Sequence, residues 1–309
     1  MSKRLLGIGD VYTYDYKQVH KTRNVGFGYY DPNKVSTTSS TDGYVLVDGV
    51  LSVVNEDGSS EPGPDPYNPL GLPPYTIRTR WTEDYTPTIT GVAGAIATQV
   101  SAEPNIWDIT YESTTWTRLF RDSGSQNNLI EVLGANTTNV TGMGGDNANQ
   151  GGLFKDCISL ERVALFDTSN VKSMGYMFYN TVTGCPLTSL PLFDTGNVTS
   201  MDSMLYRCNN LTAIPLFDTV NVISMNSFAS YCSSLTNIPL FNTSRLKLAN
   251  NMFKDCSNVE SGALALYTQM SSQGTVKNHT QTFTNCGVNT ETGSAELAQI
   301  PTSWGGTGA

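Results

Sequence analysis

Hydrophobic positions in the middle of the chain recur with a regular period. Leucine or isoleucine occupies the first, fourth and sixth positions of residues 187–192, 211–216 and 235–240, with small, mostly polar residues in the second and third. Each segment leads into a phrase that begins with phenylalanine and reads Phe-Asp-Thr or Phe-Asn-Thr. The phrases start at Phe166, Phe193, Phe217 and Phe241, at spacings of 27, 24 and 24 residues. A fixed period of this length indicates stacked repeats, and we expect roughly six to seven units between about residues 119 and 286.

Each unit is predicted to contain a short strand followed by a short helix. The last two apolar residues of each segment alternate with period two, as in a strand. A proline such as Pro191 lies between them and cannot donate to a sheet, so each strand should end near it. Val198, Met201, Met204 and Leu205 then recur at helical spacing. One strand per unit predicts a parallel sheet, with a single core that the stacked units share.

Aspartates recur directly after the phenylalanines, at Asp167, Asp194 and Asp218. A row of carboxylates is one way to bind calcium. The alternative is that each side chain caps a turn by accepting hydrogen bonds from nearby backbone N–H groups. Asn136 and Asn242 stand at equivalent places and would preserve a cap, which favours the second interpretation.

Residues 1–60 are predicted to form a small β-rich module. Residues 44–47 and 50–54 flank Asp48-Gly49, a strong hairpin signal. A strand earlier in this region would place three alternating rings on one face. That face is either a half-buried sheet surface or an anchor onto another protein, where tyrosine is favoured. These rings are Tyr12, Tyr14 and Tyr16.

The remainder of the chain divides by composition. Residues 61–74 are rich in proline and are predicted to be an extended linker. Residues 75–118 contain two strand candidates and should cap the repeats of 119–257, because a solenoid needs an atypical unit at each end. Residues 258–309 form the last repeat remnant and the opposite cap, ending in a loose tail from residue 304. Short helices are predicted there at residues 263–270 and 296–300.

Charge and hydropathy narrow the possible functions. Charged residues are 15% of the 309, well below the roughly 25% that is usual, and the net charge is −9 with no run of lysine or arginine. Nucleic acid and anionic membranes both require clustered positive charge, so neither is an expected partner. No apolar run approaches the roughly 18 residues of a membrane span. The apolar part of the first ten residues is too short for a signal peptide, which predicts a protein made in a cytoplasm.

The six cysteines occupy equivalent places in successive units. Equivalent positions in a stack form a ladder, where a free cysteine serves as a small buried hydrophobic residue. Disulfides between neighbouring units are the alternative, although no unit holds two cysteines. Zinc would need a C-x-x-C spacing or paired histidines, and the sequence has neither. The ladder consists of Cys157, Cys185, Cys208, Cys232, Cys256 and Cys286.

Catalytic chemistry has little support in the sequence. His20 and His279 are the two histidines, and neither belongs to a nucleophile–base phrase. The glycine-rich residues 142–152 contain no Lys-Ser or Lys-Thr pair, so a phosphate loop is not predicted. We therefore expect a protein that is not an enzyme and uses no metal or cofactor.

A polar stripe is the best candidate for a binding site. The second and third positions of each repeat segment should point outward and align across units, on the face where solenoids usually bind. Hydroxyl and amide groups suit hydrogen bonding to sugars or to a protein edge. A merely solvated face is the alternative. The stripe comprises Glu161, Arg162, Thr188, Ser189, Thr212, Thr236 and Asn237.

Several phrases resemble a known family. Residues 166–171 (Phe-Asp-Thr-Ser-Asn-Val), residues 173–178 (Ser-Met-x-x-Met-Phe) and the Cys-x-x-Leu-Thr of 208–212 resemble the BspA-type leucine-rich repeats of bacterial surface proteins. The flanking phrases are similar to versions from phages of gut Bacteroides, including crAss-like phages, and the resemblance covers roughly residues 74–305. Those flanking phrases are residues 74–78, 131–137, 261–267 and 295–301.

This resemblance implies an α/β leucine-rich-repeat solenoid with a surface-exposed binding role. We expect a virion structural protein, in a capsid or a tail appendage. Its N-terminal module would contact other virion proteins, and its solenoid would contact a host-surface glycan or protein. A homo-oligomer is compatible with this role. The alternative is a bacterial cell-surface adhesion protein of the same repeat family, which normally requires an export signal or a lipid anchor.

Overall fold

The computed structural model of the protein describes residues 4–6, 28–29, 43–47, 50–54, 60–62, 68, 70–89, 94–102, 104–110, 113–116, 126–145, 151–181 and 185–308. The chain divides into two compact units, Met1–Pro73 and Pro74–Ala309. This division falls at the end of the proline-rich segment.

The first unit contains a five-stranded antiparallel sheet. Its strands lie in the order β2-β1-β3-β4-β5. Pairing of Val47 with Val50 confirms the predicted hairpin at Asp48-Gly49. Pro62 pairs with Ser52 at the sheet edge, where a missing N–H is tolerated. The three tyrosines predicted as an anchor lie outside the described residues. The strands are β1 (Arg4–Leu6), β2 (Gly28–Tyr29), β3 (Gly43–Val47), β4 (Val50–Val54) and β5 (Ser60–Pro62).

The second unit opens with another five-stranded sheet, in the order β10-β9-β6-β8-β7. Every pairing is antiparallel except that of β9 with β10. Two of its strands confirm the strand candidates of the N-terminal cap, and Trp81 and Trp116 are buried at its core. Arg78 holds β6 to β8 through a bidentate ion pair with Asp108, at 2.7 and 2.8 Å. The strands are β6 (Thr76–Trp81), β7 (Ile96–Ser101), β8 (Ile106–Thr110), β9 (Leu129–Asn136) and β10 (Arg162–Val163).

The predicted parallel sheet of leucine segments is wrong. Residues 187–192 and 211–216 contain no strand, and the extended sheets are mostly antiparallel. Each proline lacks an N–H, and its carbonyl accepts the N–H of the phenylalanine two residues later. These bonds measure 3.0 Å at Phe193, 2.8 Å at Phe217 and 2.9 Å at Phe241. The backbone therefore makes a tight turn where a strand would continue.

Successive units nevertheless stack in register. Each unit forms an isolated parallel bridge with the next, at a position that follows the Asp-Thr turn. The bridges run in succession through Thr115, Gly142, Ser173, Ser200, Ser224, Leu248 and Asn278.

The predicted helix in each unit is also wrong. The N–H of Ser203 donates to Asn226 of the next unit at 2.8 Å, and that of Leu205 donates to Phe228 at 2.8 Å. Alternate N–H groups, such as that of Tyr206, donate three residues back. Ser203 and Arg207 both have left-handed φ, 53° and 60°, which an α-helix does not allow. The segment is a run of turns bonded to its neighbour.

Left-handed residues recur in two columns, and in four units the two members lie four positions apart, so these four units repeat the same pair of turns. The first column is Tyr176, Ser203, Ser227, Asn251 and Gln281, and the second is Asp156, Arg207, Tyr231, Asp255 and Asn285.

The predicted cysteine ladder lies in the core, together with large apolar side chains. All six cysteines are free thiols in buried positions, in register between units. A threonine column ties the units together, since the hydroxyls of Thr168, Thr195 and Thr219 each donate to a carbonyl of the next unit at 2.8 Å.

Helix α1 (Ala263–Gln273) ends the threonine column at its C-terminal side. The Thr243 hydroxyl donates to the Gln273 side-chain oxygen at 2.7 Å, whereas the earlier threonines donate to a backbone carbonyl of the next unit. It confirms the first predicted helix and extends it. Helix α2 (Glu291–Leu297) is N-capped by Thr290, begins earlier than predicted and is followed by a 3₁₀ helix, Thr302–Trp304. The tail predicted to be loose is held in place: Trp304 is 8% exposed, and Phe283 donates to its carbonyl at 2.9 Å.

Candidate binding surface

The structure places all seven stripe residues on the surface. Backbone hydrogen bonds join three of them from unit to unit. The N–H of Thr212 donates to the carbonyl of Thr188 at 3.3 Å, and the N–H of Thr236 donates to the carbonyl of Thr212 at 3.2 Å. The backbone N–H of Glu260 continues the row by donating to the carbonyl of Thr236 at 2.8 Å. The side-chain amide of Asn237 donates to the Ser261 hydroxyl at 2.8 Å. The threonine part of the stripe is therefore a continuous row of neutral groups, and Glu260 extends this row by one unit with a charged side chain.

The two charged members of the stripe lie in a different setting. Glu161 donates its N–H to Ile130 at 2.8 Å, and Arg162 forms an ion pair with Glu131 on β9. The Glu131 carboxylate also accepts from Arg80 at 2.9 Å. This end of the stripe is consequently a charged cluster on β6, β9 and β10.

Two leucines of the apolar sequence pattern, each four residues after a stripe threonine, are exposed and lie outside the shared core. Leu216 is 57% exposed and Leu240 is 54% exposed, whereas the equivalent Leu192 is partly buried. The turn at each proline rotates the following leucine out of the strand direction. The proline before each leucine was the available signal for this reversal.

The aspartate row forms turn caps, as the sequence favoured. Asp167 accepts from the N–H of Ser169 at 2.8 Å, and Asp194 accepts from Gly196 at 3.1 Å. Each carboxylate thus bonds its own turn two residues on. In the described part of the chain, no cluster of histidine, cysteine, aspartate and glutamate side chains is arranged to hold a metal ion.

A row of tyrosines that sequence reasoning missed crosses the turns. Tyr179 stacks on Tyr206 with ring centroids 4.7 Å apart, and Tyr206 contacts Tyr231 edge-on at 5.3 Å. The Arg207 guanidinium lies over the last two rings, at 5.6 and 5.4 Å. Burial is the main cause that raises the pKa of Tyr179 and of Tyr206, so both phenols are neutral at physiological pH. The rings cover one another's faces, which fits a packing role.

Comparison with known families identifies the repeats. Residues 150–260 match a family model described as BspA type Leucine rich repeat region, in six copies. Residues 95–184 match a model described as Mycoplasma protein of unknown function, DUF285. Neither description refers to a phage or to gut Bacteroides. No curated protein and no solved structure matches the chain.

Residues 150–260 are therefore similar to BspA-type leucine-rich repeats, and this similarity suggests a surface or adhesion-type repeat protein. Its mixed sheets and few short helices are consistent with an α/β protein that includes such repeats. Among the described residues, no helix has the length and apolarity that crossing a membrane requires.

Proposed function

We propose that this is a non-enzymatic binding protein whose repeats stack as a leucine-rich-repeat solenoid. Its polar stripe would contact a host-surface glycan or protein. The observation that carries this proposal is the in-register row of Thr188, Thr212 and Thr236, exposed and neutral, beside the exposed Leu216 and Leu240. Hydroxyl donors and acceptors next to apolar side chains match the mixed composition of protein binding surfaces.

Charge substitutions on the stripe test this binding. Replacing Thr212 and Thr236 by arginine should abolish retention of the labelled full-length protein on intact Bacteroides cells. Thr199→Arg is the matched control, because Thr199 is also exposed and its hydroxyl donates to the preceding unit, to Lys172 at 3.1 Å. Equal retention of the stripe variant and the control would exclude the stripe as the contact surface.

The proposed site of display is a phage virion, with other virion proteins contacting the first unit. The similarity of the phrases flanking the repeats to those of Bacteroides phages supports this placement, as does the separate sheet of Met1–Pro73. A bacterial cell-surface adhesion protein is the competing assignment.

Mass spectrometry of purified particles separates these two assignments. The chain should be present in virions, and deletion of residues 1–60 should prevent its incorporation during infection. Detection in the bacterial envelope with absence from every virion preparation would favour the adhesion protein. Normal incorporation of the truncated chain would show that the first unit is not the anchor.

A further inference from the structure

The C-terminal end of the second unit contains an open pocket of about 450 Å³. One wall is the last repeat turn, with Thr280 and Thr284, and the other is the 3₁₀ helix and the segment up to Thr307. The lining also includes Val288, which is 44% exposed, and Leu297, which is 2% exposed, so Val288 supplies most of its apolar surface. The volume lies in the roughly 300–1,000 Å³ range of small-molecule sites.

Backbone hydrogen bonds hold both walls of the pocket in place. The N–H of Phe283 donates to the carbonyl of Trp304 at 2.9 Å, and the N–H of Thr307 donates to the carbonyl of Leu297 at 3.0 Å. Gly305 has φ 89°, and a Cβ there would lie 2.5 Å from the Thr284 hydroxyl. Only a glycine permits this close approach of the two walls. The pocket is therefore formed before any ligand arrives, which lowers the ordering cost of binding.

The lining is uncharged and carries hydrogen-bonding groups that have no internal partner. Within the described residues, the hydroxyls of Thr284, Thr302 and Thr307 make no intramolecular hydrogen bond. Each can both donate and accept. The lining also includes no aromatic ring.

Two amides on the rim are oriented by charged neighbours. Gln281 accepts from the Lys254 ammonium at 2.9 Å through its oxygen, which leaves its NH₂ group as a donor. Asn285 donates to the Asp255 carboxylate at 2.7 Å, which leaves its amide oxygen as an acceptor. The rim thus offers one donor and one acceptor at defined positions.

We propose that this pocket binds an uncharged saccharide of one or two rings. A sugar presents hydroxyls that both donate and accept, which pair with the threonine hydroxyls and rim amides. Its C–H faces pack on the exposed Val288. An anionic ligand would find no cation in the lining, and a flat nucleobase would find no ring to stack on. The pocket shares no residue with the stripe, so it does not rest on the proposed function.

Calorimetric titration of the full-length protein with maltose, cellobiose, lactose and mannobiose tests the pocket, with sialyllactose as the charged comparison. At least one neutral disaccharide should bind, and sialyllactose should bind at least tenfold more weakly. Removing two hydroxyls by Thr284→Val with Thr307→Val should weaken binding at least tenfold. Ser303→Trp, at an exposed rim position, should block the opening without touching the core.

Thr199→Val, at an exposed position outside both the pocket and the stripe, is the matched control and should leave saccharide binding unchanged. Thermal unfolding of each variant confirms that it is folded. The proposal is overturned if no neutral disaccharide binds at millimolar concentration. It is equally overturned if Thr199→Val weakens binding as much as the pocket variants do, or if sialyllactose binds as tightly as the neutral sugars.

Discussion

Single side chains in this protein repeat the same bond from unit to unit. In three successive bonds a side-chain oxygen accepts a backbone N–H of the next unit. Asp202 accepts from Asn226 at 2.7 Å, Asn226 accepts from Asn250 at 3.1 Å, and Asn250 accepts from Thr280 at 2.9 Å. Two of the three acceptors are neutral amides, whereas Asp202 carries a carboxylate. Burial raises the pKa of Asp202 above its ordinary value, while the hydrogen bonds from Ser224 and Asn226 oppose that shift.

Asp202→Asn should stabilise the protein at neutral pH. Because the folded pKa lies above the unfolded one, the carboxyl group favours folding below its ordinary pKa, and that contribution is lost as pH rises through the folded pKa. An amide oxygen keeps the bond to Asn226 without a buried charge. Thermal unfolding between about pH 3 and pH 8 should show that the stability of the variant relative to wild type increases as pH rises. A variant less stable than wild type at neutral pH would show that the charge itself is needed.

The cysteine column should resist thiol reagents in the native protein. The Cys232 thiol lies 3.1 Å from the Leu205 carbonyl and that of Cys256 lies 3.0 Å from Ala229. Burial raises the pKa of Cys232 well above its ordinary value and that of Cys256 to about 12, so neither is a thiolate at neutral pH. A chromogenic disulfide reagent should label few or no thiols before denaturation and all six cysteines afterwards, without reductant. Fewer than six after denaturation would reveal disulfides.

At the level of elements, the sequence predicts the period well and the backbone path poorly. The hairpin at Asp48-Gly49 and the capped turns at Asp167 and Asp194 were predictable because their residue types have strong local preferences. The helix was mispredicted because Met201 and Leu205 have helical spacing, while the backbone bonds run to the next unit. Left-handed turns usually carry glycine, but here serine, arginine and tyrosine occupy them, so no local signal marked them.

Substitution of a left-handed serine by glycine tests these turns. Ser227 has φ 52°, a conformation that costs an ordinary residue roughly 1–2 kcal/mol. Ser227→Gly should therefore leave the free energy of unfolding unchanged or raise it by up to about 1 kcal/mol, since glycine relieves the strain but loses about 0.5–1 kcal/mol of entropy. Ser257→Gly, at a position without positive φ, is the control and should lose about 0.5–1 kcal/mol in urea unfolding. Equal losses at both positions would show that the turns store no strain.

At the level of the whole molecule, one of the two candidate sites could be predicted from the sequence and the other could not. The stripe follows from aligning equivalent positions, so Thr188, Thr212 and Thr236 could be chosen before the fold was known. The saccharide pocket combines Thr284 with Thr307, which belong to different elements of the C-terminal cap. Their meeting depends on backbone bonds of a tail that composition alone predicts to be loose, so no periodic pattern could locate it.

The last prediction is that residues 72–309 fold without the first unit. The core cluster runs from Ile77 to Trp304, and the sheet of β6–β10 and helix α1 lie at its two ends. The truncated chain should unfold in one cooperative urea transition, as the shared core of stacked repeats requires. Its midpoint should match the transition of the second unit in the full chain. Residues 1–73 alone should unfold without cooperativity, because so short a chain buries too little apolar surface to offset its entropy. Aggregation of the truncated chain, or a broad non-cooperative transition, would show that the second unit depends on the first for its stability.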